Sequence, residues 1–234
     1  MQLQNISLIE ADMEVVTGLR IGAGDGEMHI GGVDNPVIRN PVNQQPYIPG
    51  SSLKGKIRSL LEWKSGQVQP NALTWKDYEK SKSEEVLQIL QLFGVSGDAN
   101  LPEADQKKLG PTRLSFWDCP LDQEWVTRLV NDNLSLVEVK SENAINRISG
   151  VAQNPRQTER VPPGASFKFK LSFKKLDGDD DTLRTTVLAG LKLLELDSLG
   201  GYGSRGYGKV RFRNLKIDGV DKSEEFEAVR PFEQ

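Results

Sequence analysis

Between residues 200 and 208 the chain places five glycines in nine positions, interleaved with Tyr202, Ser204, Arg205 and Tyr207. Such backbone can approach a phosphate closely, the guanidinium can pair with it, and the tyrosines can stack on bases. The stretch also contains the spacing G-x-G-x-x-G of dinucleotide-binding turns, which needs a strand before it and a helix after it. Here a helical pattern precedes and a basic strand, 209–217, follows, so a nicotinamide or flavin site is rejected. A plain helix-to-strand turn is satisfied by one or two glycines. The excess makes Gly201, Tyr202, Gly203, Ser204 and Arg205 candidate RNA contacts.

A second candidate anion site lies at residues 47–58, Y-I-P-G-S-S-L-K-G-K-I-R. Ser51 or Ser52 is expected to cap a helix whose Leu53, Ile57, Leu60 and Leu61 form one apolar stripe. Its first turn offers free N–H groups and two hydroxyls, and Lys54 and Arg58, four apart, share the polar side with Lys56 nearby. A solvated helix face with a serine cap is the plainer reading of any one of these residues. Gly55 costs helix stability by about 1 kcal/mol, which suggests close approach of something from outside.

Acid–base candidates are sparse. His29 is the sole histidine and Cys119 the sole cysteine. A lone histidine is usually structural or exposed, and one cysteine excludes a disulfide framework and a cysteine-rich zinc site. Asp34, before Asn35 and Pro36, reads on its own as a turn residue. Asp25 and Glu27 are the nearest other acids. Net charge is −3, which argues against indiscriminate coating of nucleic acid, yet the charges are segregated. Residues 51–64 hold four basic side chains against Glu62, whereas 218–234 hold six acidic against two basic. No apolar run has the length of a signal peptide or membrane helix, so the expectation is a cytoplasmic protein without membrane contact.

The elements that must position these residues follow from periodicity. A half-buried strand is expected within 6–19, then a proline-containing ordered loop over 31–49. The helix after it leads to a polar stretch, 67–110, read as a lid insertion with one short amphipathic helix near 86–93. Strands are expected at 113–118 and 138–141, and a projecting arm over 142–163 carrying Arg147, Arg156 and Arg160. Phe167, Phe169, Leu171 and Phe173 alternate with Lys168 and Lys170, one face core and one face solvent or ligand. A helix over 181–196 follows, with Leu183, Val187, Leu191 and Leu194 on one side. The order implies a single α+β domain over 1–234, a ferredoxin-like antiparallel sheet with helices on one face.

With P-G-S-S-L-K-G at 49–55 and G-G-Y-G-S-R-G-Y-G-K at 200–209, the chain resembles the RAMP superfamily of CRISPR proteins. It is most similar to the backbone subunit of type III-A, Csm-type, complexes, over residues 17–216. N-P-R-Q-T-E-R-V-P at 154–162 and L-K-L-L-E-L-D at 191–197 belong to the same pattern, and four motifs in order are far more specific than one. The resemblance implies an RRM-like core whose copies stack head to tail along a guide RNA (crRNA), with a lid and a thumb-like β-hairpin, here 142–163, wedging between bases. That role needs arginines for phosphates and apolar residues such as Ile148 and Val151. It also implies complementary target RNA, other type III effector subunits including the large signalling subunit and small subunits, and a cleaving aspartate before the first helix, matched by Asp34. An unperturbed aspartate, pKa about 3.9, is a poor base for a ribose hydroxyl. Asp34 is therefore expected to bind a divalent ion, Mg2+, or to orient the reacting strand, with RNA phosphates and water completing the ion's shell. The family often has histidine where Arg20 stands, so Arg20 is expected to contact the guide while its detailed role stays open.

The expectation is a metal-dependent endoribonuclease acting on guide-paired target RNA. The alternative is a non-catalytic scaffold that holds the guide while another subunit cuts. A standalone guide-processing nuclease would need a better acid–base set than one histidine.

Overall fold

The computed structural model of the protein describes residues 1–22, 35–95 and 101–232. Strand β1 (Leu3–Val15) buries Ile9, Ala11, Met13 and Val15 and turns Glu10, Asp12 and Glu14 to the other face, as period-2 geometry requires. It lies between β7 (Ser166–Leu176) and β8 (Val210–Ile217), antiparallel to both. Strand β3 (Leu114–Phe116) flanks β7, and β9 (Val220–Asp221) flanks β8, giving the order β3-β7-β1-β8-β9. Helix α1 (Gly50–Lys64) follows β1, and α6 (Thr182–Leu196) joins β7 to β8. This is the split βαβ arrangement of a ferredoxin-like fold.

Both helices cover one face. Leu53, Ile57 and Leu61 of α1 and Leu183, Val187, Leu191 and Leu194 of α6 join Phe167, Phe169, Leu171 and Phe212 in one core. Gly190 lets the helices close: an added Cβ there would stand 2.7 Å from Ile57. The opposite face is charged but paired with itself. Lys170 meets Glu10 at 2.9 Å, Lys168 meets Asp12 at 2.8 Å and also Asp122, and Arg213 meets Glu14 at 3.1 Å.

Helix α1 begins one residue before the serines. Pro49 occupies the cap position with extended backbone, and its carbonyl accepts from Ser52 and Leu53 N–H. Asp118 accepts from Gly50 N–H at 2.8 Å. Neither Ser51 nor Ser52 caps the helix, because proline supplies the pre-set φ and an aspartate distant in sequence satisfies the end.

The stretch expected to hold one helix holds three: α2 (Trp75–Ser81), α3 (Glu84–Phe93) and α4 (Glu103–Leu109). They enclose a small core of their own, Leu73, Trp75, Tyr78, Val86, Leu87, Leu90 and Leu109. A further helix, α5 (Gln123–Asn131), is capped by Asp122, which accepts from Trp125 N–H. The short pair β2 (Tyr47–Ile48) and β4 (Cys119–Pro120) buries Cys119, whose thiol burial pushes up to about 12. The strand and arm expected separately from 138 onward form one hairpin, β5 (Glu138–Ile145) with β6 (Ala152–Arg160). The acidic C-terminal segment forms α7 (Ser223–Glu227), which buries Phe226 and pairs Glu225 with Lys222 and Arg184, and Glu227 with Lys192. Among the described residues no helix is long and apolar enough to cross a membrane.

Candidate nucleic-acid interface

The loop between α6 and β8 folds back on the segment that leaves β1. Gly201 N–H donates to the Arg20 carbonyl at 2.9 Å, and Gly208 N–H to the Gly18 carbonyl at 3.0 Å. A Cβ on Gly200 would fall 2.2 Å from the Arg20 carbonyl oxygen, and one on Gly208 2.0 Å from that of Leu199; both residues have positive φ. Gly203 has the same close approach to Ser198. Much of the glycine excess therefore serves packing within the chain; an added Cβ would meet nothing at Gly206 and, at Gly201, only the Arg20 side chain at 3.3 Å.

What this packing presents is a stack. The Arg205 guanidinium lies over Tyr202 at 4.0 Å, Arg20 reaches the same ring at 4.9 Å, and Tyr202 meets Tyr207 edge-on at 5.6 Å. Tyr207 in turn carries Lys140 at 4.5 Å and Arg160 at 5.0 Å. Four cations thus surround two tyrosines, a geometry that holds each cationic head near a ring. Two carboxylates from β5 complete the cluster: Glu138 accepts from Arg160 at 2.7 Å, and Glu142 accepts from Arg205 at 2.9 Å. Burial works against the Glu142 charge, but Lys140, Tyr207 and Arg205 hold its carboxyl below the usual value. Burial, then Glu142, raise the Tyr207 phenol. Among the described residues the buried Tyr207 hydroxyl and the Arg20 Nε have no hydrogen bond of regular geometry.

Strand β6 ties this cluster to both sides of residues 23–34. Leu19 and Val161 exchange backbone hydrogen bonds at 2.9 and 2.8 Å, and Glu159 N–H donates to Asn35 at 3.1 Å. The buried Glu159 carboxylate accepts from Val37 N–H at 2.9 Å and from Arg39. Arg20 donates to the Asn35 side chain at 3.2 Å. Asp34, named as the cleaving and metal-binding residue, lies outside the described residues, as do Asp25, Glu27 and His29. Asn35, next to Asp34 in sequence, stands at the root of the hairpin. Among the described residues no three His, Cys, Asp or Glu side chains gather to hold a metal ion.

The hairpin tip is built stiffly. Asn146 accepts through its side chain from Ile148 and Ser149 N–H, both at 3.0 Å, and Gly150 N–H returns to its carbonyl at 2.9 Å. Ile148 stands 99% exposed, with Ile145 and Val151 more than half exposed beside it. Three apolar side chains on a rigid projecting turn are costly in water and suited to insertion between bases. Arg147 and Arg156 are exposed along the same hairpin.

The other expected contacts divide. On α1, Ser51, Ser52 and Lys54 remain on the outer side, and Gly55 has nothing within 4 Å of an added Cβ. Lys56 pairs with Asp197 at the end of α6. Arg58 is turned inward: it donates to Glu62 at 2.8 Å and to the carbonyls of Gly94 and Leu73 at 2.9 and 2.7 Å. Its three donor groups are spent on holding the lid, so it is a structural arginine and not a phosphate ligand. The residues missed by sequence reasoning, Glu138, Lys140 and Glu142, join Tyr207 only because β5 crosses the glycine loop. The alternation of 138, 140 and 142 on one strand face was the available signal.

A model of the RAMP superfamily matches residues 12–211. The CRISPR system Cms endoribonuclease Csm3 of Methanothermobacter thermautotrophicus is 41% identical, over 93% of this chain and 87% of the relative. That of Mycobacterium tuberculosis is 42% identical, over 89% and 86%. Among solved structures, a chain of a Csm3-Csm4 subcomplex in the type III-A CRISPR-Cas interference complex aligns with TM-score 0.55 and 29% identity, over 93% of this chain and 80% of that one. By these likenesses the chain belongs to the RAMP superfamily and, within it, to the Csm3 family.

Proposed function

We propose that the chain is the repeating backbone subunit of a type III CRISPR ribonucleoprotein in the cytoplasm, binding guide RNA along a head-to-tail array and cutting the paired target RNA at regular intervals. The observation that carries this reading is the stack of Arg20, Tyr202, Arg205, Tyr207, Lys140 and Arg160 at the hairpin root, tied through β6 to both sides of residues 23–34. Cations held over aromatic rings suit sugar–phosphate backbone and unstacked bases. The apolar hairpin tip suits prising bases apart at one point per subunit, which repeats with the array.

Asp34 is assigned the cleavage role. The described residues do not by themselves form a magnesium site. Mg2+ is proposed to be held by Asp34 together with RNA phosphates and water, where it would stabilise charge on the reacting phosphate. The chain's own groups hold the strand: Arg205 and Arg20 bind phosphates, and the hairpin fixes which phosphodiester lies beside residue 34.

The test is an assembled complex on a guide RNA, given labelled complementary target with magnesium. Asp34→Ala is expected to retain target binding and to lose the regularly spaced cuts, by about a hundredfold or more in rate. Unchanged cutting would leave the chain a guide-holding scaffold.

A further inference from the structure

The Glu142 side chain bridges two of the cations offered to RNA. One carboxylate oxygen accepts from Arg205 at 2.9 Å, and the other meets Lys140 Nζ at 3.1 Å. A single negative charge spread over two oxygens and shared between a guanidinium and an ammonium is also how the two non-bridging oxygens of a phosphodiester would sit there. The Arg205 side chain is 46% exposed while that of Glu142 is 17% exposed, so the cation is accessible from outside and its partner stands behind it. Arg205 also lies over Tyr202 at 4.0 Å, a contact that orients it without the carboxylate.

We infer that Glu142 is a specificity-determining residue, a carboxylate that stands in for an RNA phosphate on Arg205 and Lys140 and must be displaced before RNA can occupy them. The inference rests on the reading of this cluster as the RNA interface. A loosely held polyanion gains little by breaking two existing ion contacts. A guide held at several other points of the interface gains enough to do so, and Glu142 thereby widens the gap between the two. The position has a second effect: Glu142 lies where the β5–β6 register slips, between Glu142 and Ala144, so its release frees the outer hairpin from the glycine loop at the point where the ladder is already interrupted.

The experiment measures binding of poly-uridylate and of a guide RNA to the full chain, across a salt series, for wild type, Glu142→Gln, Arg205→Ala and the double variant. Glu142→Gln is expected to tighten poly-uridylate binding about three- to tenfold at low salt and to steepen the log–log salt dependence by about one. Guide binding should change less, so selectivity falls. Arg205→Ala should weaken both RNAs, and in its background Glu142→Gln should add little. Equal or weaker poly-uridylate binding by Glu142→Gln, in a wild type that binds RNA and loses affinity on Arg205→Ala, overturns the inference and leaves the interface standing. Wild type that binds neither RNA, or Arg205→Ala without effect, overturns both. Restoration of wild-type selectivity by Glu142→Asp supports the charge as the cause, and its failure in a folded protein points to shape and counts against the inference.

Discussion

Arg58 and Arg205 look alike in sequence, each a cation near glycine and serine in a candidate phosphate site. In the folded chain their surroundings differ: Arg58 is turned inward and Arg205 stays partly exposed. Arg58 holds Glu62 and two lid carbonyls, and both members of that pair are largely buried. Arg58→Ala leaves a carboxylate without its cation and is expected to cost about 3–5 kcal/mol of stability, read as a lower urea midpoint. The salt slope of RNA binding should stay as in wild type. Arg205→Ala should do the reverse, leaving the urea midpoint within about 0.5 kcal/mol and lowering the salt slope by about one. Residue type and spacing were enough to nominate both, but not to say which way each side chain turns. That depends on Gly94 and Leu73, which reach Arg58 only after the lid has folded.

At the scale of elements, strong periodicity was legible: β1, β7, α1 and α6 stand close to where their apolar patterns place them. Short helices were not. Thr74 and Asp77 close a reciprocal cap on α2, and Asp122 caps α5, signals that are local and easily hidden in polar sequence. Periodicity alone gives only a projecting arm at 142–163, and the hairpin is implied there by the family resemblance, because its strands carry no buried alternation along most of their length; Ala152 to Gln157 are exposed throughout. What specifies it is the turn at Asn146 and Gly150. Ile148→Ser should leave the melting temperature of the free chain unchanged within about 1 °C, since the side chain touches nothing it could lose. In the assembled complex it is expected to slow target cleavage severalfold while guide binding persists, measured by single-turnover assay.

Across the whole molecule the charges are sorted by duty. The face of the sheet that RRM-like proteins often use for RNA carries its own ladder of cation–carboxylate pairs, and cations that meet aromatic rings as well as carboxylates are gathered at the hairpin root. Lys168 holds the Asp122 carboxyl below its ordinary value, and for Asp12 the same lysine with Asn214 outweighs burial. Carboxylates depressed in the folded state add stability above their unfolded pKa of about 3.8 and lose it as pH falls through the lower folded values. The urea midpoint is therefore expected to be flat from about pH 7 to 5 and to fall below about pH 4. Lys168→Met should remove part of that acid sensitivity, worth at most about 1 kcal/mol because the pair is partly exposed.

The place of β1 in the sheet has a consequence for how the protein comes into being. The first strand made is central and pairs with two of the last, β7 and β8, so its neighbours are separated from it by most of the chain. At translation rates of about 5–20 residues per second, Leu3 waits on the order of ten to forty seconds before β8 exists. Pairings so distant in sequence also form slowly once available. The surface built where β1 ends and the glycine loop returns can therefore form only after the loop before β8 has been made, so any ligand that uses it waits on the late part of the chain.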